Sequence, residues 1–133
     1  MLYLDSSAIV KLVVAEPDSA ALVGELRSDP EAVSSAIARV EVLRAARRVG
    51  GRRTASRAGS VLERMALVRL DHDILESAAT LEPMGLRTLD ALHMATALAV
   101  GEDLAAFVSY DMRLTKAAEA AGLPVLTPRD PTR

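Results

Sequence analysis

The chain has 133 residues, half of them apolar but only 2% aromatic, and a formal net charge of −2. That length makes one domain with room for a core, and the absence of cysteine excludes disulfide staples, thiolate metal sites and a cysteine nucleophile. No apolar run approaches the roughly 20 residues a membrane-spanning helix needs, and no basic-then-apolar leader marks export, so the expected location is the cytoplasm.

Met1-Leu2-Tyr3-Leu4 forms a short apolar strand ending at Asp5, and the polar turn Asp5-Ser6-Ser7 caps a helix from Ala8 to about Val14. Glu16-Pro17-Asp18-Ser19 breaks that helix and starts another, which passes through Leu22 and Leu26 and stops at Ser28-Asp29-Pro30. Ala32-Val33-Ser34 is the second strand. The helix after it carries Ile37, Val40, Glu41 and Arg44, with Ile37 and Val40 pointing inward, and ends at Gly50-Gly51. A basic helix from about Arg53 to Met65 pairs with it, and Leu67-Val68-Arg69-Leu70 is the third strand.

Asp71-His72-Asp73 then caps a helix reaching Leu81, which Pro83-Met84-Gly85 closes, with Met84 and Met94 as core filler. Thr88 opens an Ala- and Leu-rich helix over 89–100 that Gly101 ends. A strand over 106–110, a helix over 114–121 and a short strand, Val125-Leu126, complete the pattern and leave 127–133 as a loose tail. Alternating strands and helices predict an α/β sandwich with a mostly parallel sheet.

Four acids stand out by address. Asp5 and Asp111 follow strands, Asp90 opens a helix, and Glu41 lies among apolar residues of another. Strand ends in a parallel sheet share a crevice, so these acids can meet there. Together they repel unless a cation neutralises them, and hard oxygen ligands suit Mg²⁺ or Mn²⁺. Each acid also has a plainer reading: a helix cap for Asp5, a first-turn charge for Asp90, a turn residue or an Arg113 ion pair for Asp111, and an Arg44 ion pair or an exposed edge position for Glu41. His93, three residues after Asp90, reads as a supporting residue more readily than as a ligand.

Between Arg39 and Arg64 eight arginines face only two acids, which reverses the acidic total locally. Such a stripe suits phosphate contact and equally suits a solvated or partner-facing surface. Arg44 and Arg48 are the candidates for nucleic-acid or partner contact. No phosphate loop, nucleophile elbow or His-Glu-x-x-His pair is present. The second residue after Asp5 is Ser7, not the second acid of an aspartyl-nucleophile phosphatase.

The segments Met1–Leu12, Leu86–Ala95 and Ser109–Leu114 resemble the first, third and fourth motifs of the PIN domains, specifically of the VapC-type toxins of bacterial toxin–antitoxin pairs. The resemblance covers almost the whole chain and implies a single PIN-like, Rossmann-like domain over 1–133. It implies metal-dependent RNA cleavage by an acidic quartet of Asp5, Glu41, Asp90 and Asp111, with Asp5 and Asp90 as direct Mg²⁺ or Mn²⁺ ligands. Ser6 and Ser109 stand where many relatives carry threonine, which implies supporting hydroxyls. A VapB-type antitoxin, an RNA substrate and a homodimer are implied too, and the alanine-rich helix over 89–100 offers a small face for subunit contact. The alternative is a catalytically weak RNA- or protein-binding module on the same fold.

Overall fold

The computed structural model describes residues 1–132. Strands β1 (Leu2–Leu4), β2 (Ala32–Ser35), β3 (Ala66–Val68), β4 (Ala106–Val108) and β5 (Val125–Leu126) form one sheet in the order β3-β2-β1-β4-β5. Every neighbouring pair is parallel. Helices α1 (Ser6–Val13), α2 (Ser19–Ser28), α3 (Ile37–Glu63), α4 (His72–Thr80), α5 (Thr88–Val100) and α6 (Met112–Ala120) supply the connections that parallel pairing demands.

Alternation along the central strands sorts the core into two layers. Leu2 and Leu4 of β1, with Ala106 and Val108 of β4, pack on Ile9, Leu22, Val42 and Leu62 from α1 to α3. Tyr3 and Phe107 point the other way, against Met94 of α5 and Leu114 of α6. With so few aromatics, the Tyr3–Phe107 stack, centroids 5.2 Å apart, is a large part of that second layer.

From β1 the chain moves outward through β2 to β3, then returns to β4 on the other flank of β1. The order therefore reverses between β1 and β4, and the crevice beyond their carboxyl ends is where such folds place ligands. Asp5 leaves β1 and Ser109 to Asp111 leave β4 at that crevice.

Several boundaries differ from expectation for identifiable reasons. Asp5 accepts from the Ala8 amide and Asp111 from the amides of Arg113 and Leu114, so both are N-caps and their helices start at Ser6 and Met112. Helical hydrogen bonding in α3 continues past residue 50, but Gly50 and Gly51 leave helical geometry; Gly51, at φ +64°, holds a conformation only glycine takes easily. Val40 is 54% exposed and Met84 89% exposed, so neither joins the core. The inward face of α3 is Ala38, Val42 and Ala46 instead.

The small face expected of α5 is also turned inside, since Ala91, Ala95 and Ala97 are buried within the chain. Nor is the tail loose as far as Asp130. The Thr127 hydroxyl donates to the Ser109 carbonyl, Tyr110 donates to the Pro128 carbonyl at 2.7 Å, and the Asp130 amide donates to buried Asp18. Arg133 lies outside the described residues. No helix among them is long and apolar enough to cross a membrane.

Candidate acidic metal centre

Asp5 is buried at the end of β1 and is held by three donors. Its Oδ1 accepts from the Ser7 hydroxyl at 2.7 Å and the Ala8 amide at 2.9 Å; its Oδ2 accepts from Ser109 at 2.6 Å. Ser109 Oγ also accepts from the Asp111 amide at 3.0 Å, so one buried hydroxyl ties two of the acids together. Ser7 Oγ does similar work by accepting from the Tyr110 amide at 3.0 Å. Burial pushes the Asp5 carboxyl above the ordinary range, and the Ser109 and Ser7 hydroxyls only partly oppose it.

Glu41 reaches the site from α3 and pairs with His93 of α5, not with Arg44. The carboxylate can only accept, so His93 Nε2 carries the proton and donates to Glu41 Oε1 at 2.8 Å. The opposite ring nitrogen, Nδ1, then accepts from the buried Tyr3 hydroxyl at 2.7 Å. Ser6 donates to the same Glu41 oxygen at 2.6 Å and lies 3.2 Å from His93 Nε2. Burial works against the Glu41 carboxylate, but the hydrogen bonds from His93 and Ser6 outweigh it and hold the carboxyl below its usual range.

Asp90 lies in the first turn of α5, where the helix dipole favours an anion. Its carboxyl is nonetheless raised, first by burial and then by Asp111, with Asp5 and Glu41 adding to the repulsion and His93 opposing it. All three other acids therefore act on it electrostatically. The structure sets Asp5 and the Asp111 backbone about Ser109, Ser6 against Glu41, and Asp90 within electrostatic reach of Asp5, Glu41 and Asp111.

The site offers carboxylate and hydroxyl oxygens, the donor type that hard divalent ions take. No Lys or Arg among the described residues pairs with any of the four acids. Among the described residues, no hydrogen bond engages Asp90's side chain, Glu41 Oε2 or Asp111 Oδ2, while Glu41 Oε1 and Asp111 Oδ1 take the bonds above and the helix-cap amides. No three His, Asp or Glu side chains among the described residues are already close enough to clasp an ion.

Arg44 and Arg48 are exposed and line a 440 Å³ groove together with Ser6 and Glu41, beside the acids. The other arginines of the stripe are exposed as well, and Arg57 anchors the second arm of α3 by donating to the Val13 carbonyl at 3.0 Å. A roomier groove of 580 Å³, between α4 and α5, is apolar and contains none of the four acids, so volume does not mark the site. Sequence reasoning passed over Tyr3 and Ser7. A tyrosine in a fully buried strand needs a partner for its hydroxyl, and that need was the available signal.

The protein-family model for the PIN domain matches residues 2–120. The chain is 48% identical over 128 residues to the ribonuclease VapC46 of Mycobacterium tuberculosis, covering 96% of this chain and 97% of that protein. Its fold is similar to that of M. tuberculosis VapC20, a sarcin–ricin loop cleaving toxin, with a TM-score of 0.75 at 18% identity, covering 96% of this chain and all of the other. A toxin–antitoxin complex from Klebsiella pneumoniae matches with a TM-score of 0.73 at 21% identity, covering 98% and 99%. A chain with this sheet order and this acidic crevice, matched over nearly its whole length, belongs to the PIN-domain family and to its VapC group.

Proposed function

We propose that this chain is the toxin of a type II toxin–antitoxin pair, an endoribonuclease that depends on Mg²⁺ or Mn²⁺ and acts in the cytoplasm. The observation that carries the reading is the carboxyl of Asp90, raised first by burial and then by Asp111, with Asp5 and Glu41 adding to it and His93 opposing, while no Lys or Arg among the described residues pairs with it. Carboxylates set close to Asp90, with His93 alone opposing them, are costly unless the protein gains something by binding a cation there. A similarity of 48% identity over nearly the full length to a ribonuclease adds support.

Asp5, fixed by Ser7, Ser109 and the α1 amide, and Asp90, with both oxygens unengaged, would hold the ion, with Asp111 at its edge. A bound divalent ion neutralises phosphate charge and lowers the pKa of water. Glu41 stays ionised through His93 and Ser6, and its Oε2 is available to take a proton from the attacking water. In-line attack on the phosphodiester then leaves a 3′-hydroxyl and a 5′-phosphate. Arg44 and Arg48 hold the RNA backbone along the neighbouring groove. A VapB-type antitoxin that covers the acids would silence the enzyme, and the active form is a homodimer.

Cleavage of RNA by antitoxin-free protein tests the reading. Cleavage that requires added Mg²⁺ or Mn²⁺ and disappears in Asp5→Asn and Asp90→Asn is the expected result. RNA binding that survives both substitutions and a chelator, with no cleavage by the wild type, identifies a binding module instead.

A further inference from the structure

Asp90 also borders a second groove, on the α6 side, of 410 Å³. Three cations line it: Arg87, just before α5, and Arg113 and Lys116, which share a face of α6 by their three-residue spacing. All three are exposed, and no ion pair among the described residues engages their side chains. The acid in the lining is Asp90 itself. The groove therefore carries surplus positive charge directly against one member of the acidic site.

Its position relative to the other basic groove matters. Leu89 borders the groove of Arg44 and Arg48, while the next residue, Asp90, borders this one, so the first turn of α5 separates two cation-lined grooves. A polynucleotide lying across the acids would meet cations on both sides of the bond being cut. That arrangement suits cleavage within a chain rather than at its end. Guanidinium forks at Arg87 and Arg113 match phosphate oxygens in pairs.

Building on the nuclease reading above, we propose that the groove of Arg87, Arg113 and Lys116 is a phosphate-binding subsite, holding the RNA backbone on the opposite side of the scissile bond from Arg44 and Arg48. The test is the double variant Arg87→Gln with Lys116→Gln, both exposed and outside the acidic site, with its fold checked by circular dichroism. Affinity for a fluorescent single-stranded RNA is measured with chelator across a NaCl series. Loss of two phosphate contacts weakens binding by about tenfold at low salt and flattens the log–log salt slope by about 1.4. In cleavage assays KM rises while kcat holds.

An unchanged slope and KM, in a wild type that cleaves RNA, overturns the subsite and leaves the nuclease reading standing. A wild type that never cleaves, but whose RNA binding weakens as described in the double variant, supports the phosphate groove and removes the catalytic reading. Weakened binding of polyglutamate with RNA binding intact overturns the subsite in favour of an acidic protein partner.

Discussion

Replacing Tyr3 with Phe removes one buried hydroxyl and leaves the ring stacked on Phe107. The hydroxyl lies 2.7 Å from His93 Nδ1, and His93 in turn donates to Glu41 at 2.8 Å, so the change leaves a buried ring nitrogen without its donor. Such a group costs about 1–3 kcal/mol. For a chain of this size that lowers the melting temperature by about 4–12 °C. The imidazole also loses the contact that fixes its tautomer and orientation, and Glu41 loses a fixed donor. A loss of about 1.4 kcal/mol in positioning corresponds to a roughly tenfold fall in kcat for metal-dependent RNA cleavage, with KM unchanged. Phe107→Leu is the control, since it loosens the same layer and reaches neither His93 nor Glu41. Melting curves and steady-state kinetics on both variants decide the matter: Tyr3→Phe with wild-type stability and kcat, or Phe107→Leu with an equal loss of kcat, refutes the positioning link.

Ser109→Ala removes a donor from Asp5 and an acceptor from the Asp111 amide together, so urea unfolding should register a loss of about 1–3 kcal/mol, while Ser109→Thr keeps both bonds. Equal midpoints for wild type and Ser109→Ala would contradict that assignment. Asp18 is buried and binds the Asp130 amide at 2.9 Å and Arg129 at 3.7 Å. Asp18→Ala should therefore cost about 2 kcal/mol and expose the tail to early cleavage in limited proteolysis; an unaltered digestion pattern would show that other contacts hold the tail.

The alternation of strand and helix was legible because Ala32-Val33, Ala106-Phe107-Val108 and the apolar opening are bounded by strong punctuation, and so the parallel α/β class followed. Strand order was not legible, because nothing local to Ala106–Val108 says that β4 pairs with β1. The addresses of Asp5, Asp90 and Asp111 were readable from their places at element ends, and that of Glu41 from its place among the apolar residues of α3. Glu41's partner was not, since His93 lies 52 residues away and only the packing of α3 near α5 joins them. Boundaries slipped at Asp5 and Asp111 because a residue that ends a strand can also cap the following helix. Helical spacing alone put Val40 inside, whereas the buried line of α3 runs through Ala38, Val42 and Ala46.

On the proposed reading, Asp90 and the acids that act on it form a divalent-cation site. Thermal melts of wild type and Asp90→Asn, each with chelator and with Mn²⁺, test it most directly. In chelator, Asp90→Asn should melt above the wild type, because the repulsion from Asp111, Asp5 and Glu41 is relieved. Mn²⁺ at about 100 times its dissociation constant should stabilise the wild type by about 2.7 kcal/mol, roughly 10 °C, and leave Asp90→Asn nearly unmoved. A wild type indifferent to Mn²⁺, or an Asp90→Asn variant that gains as much from it, would contradict the account.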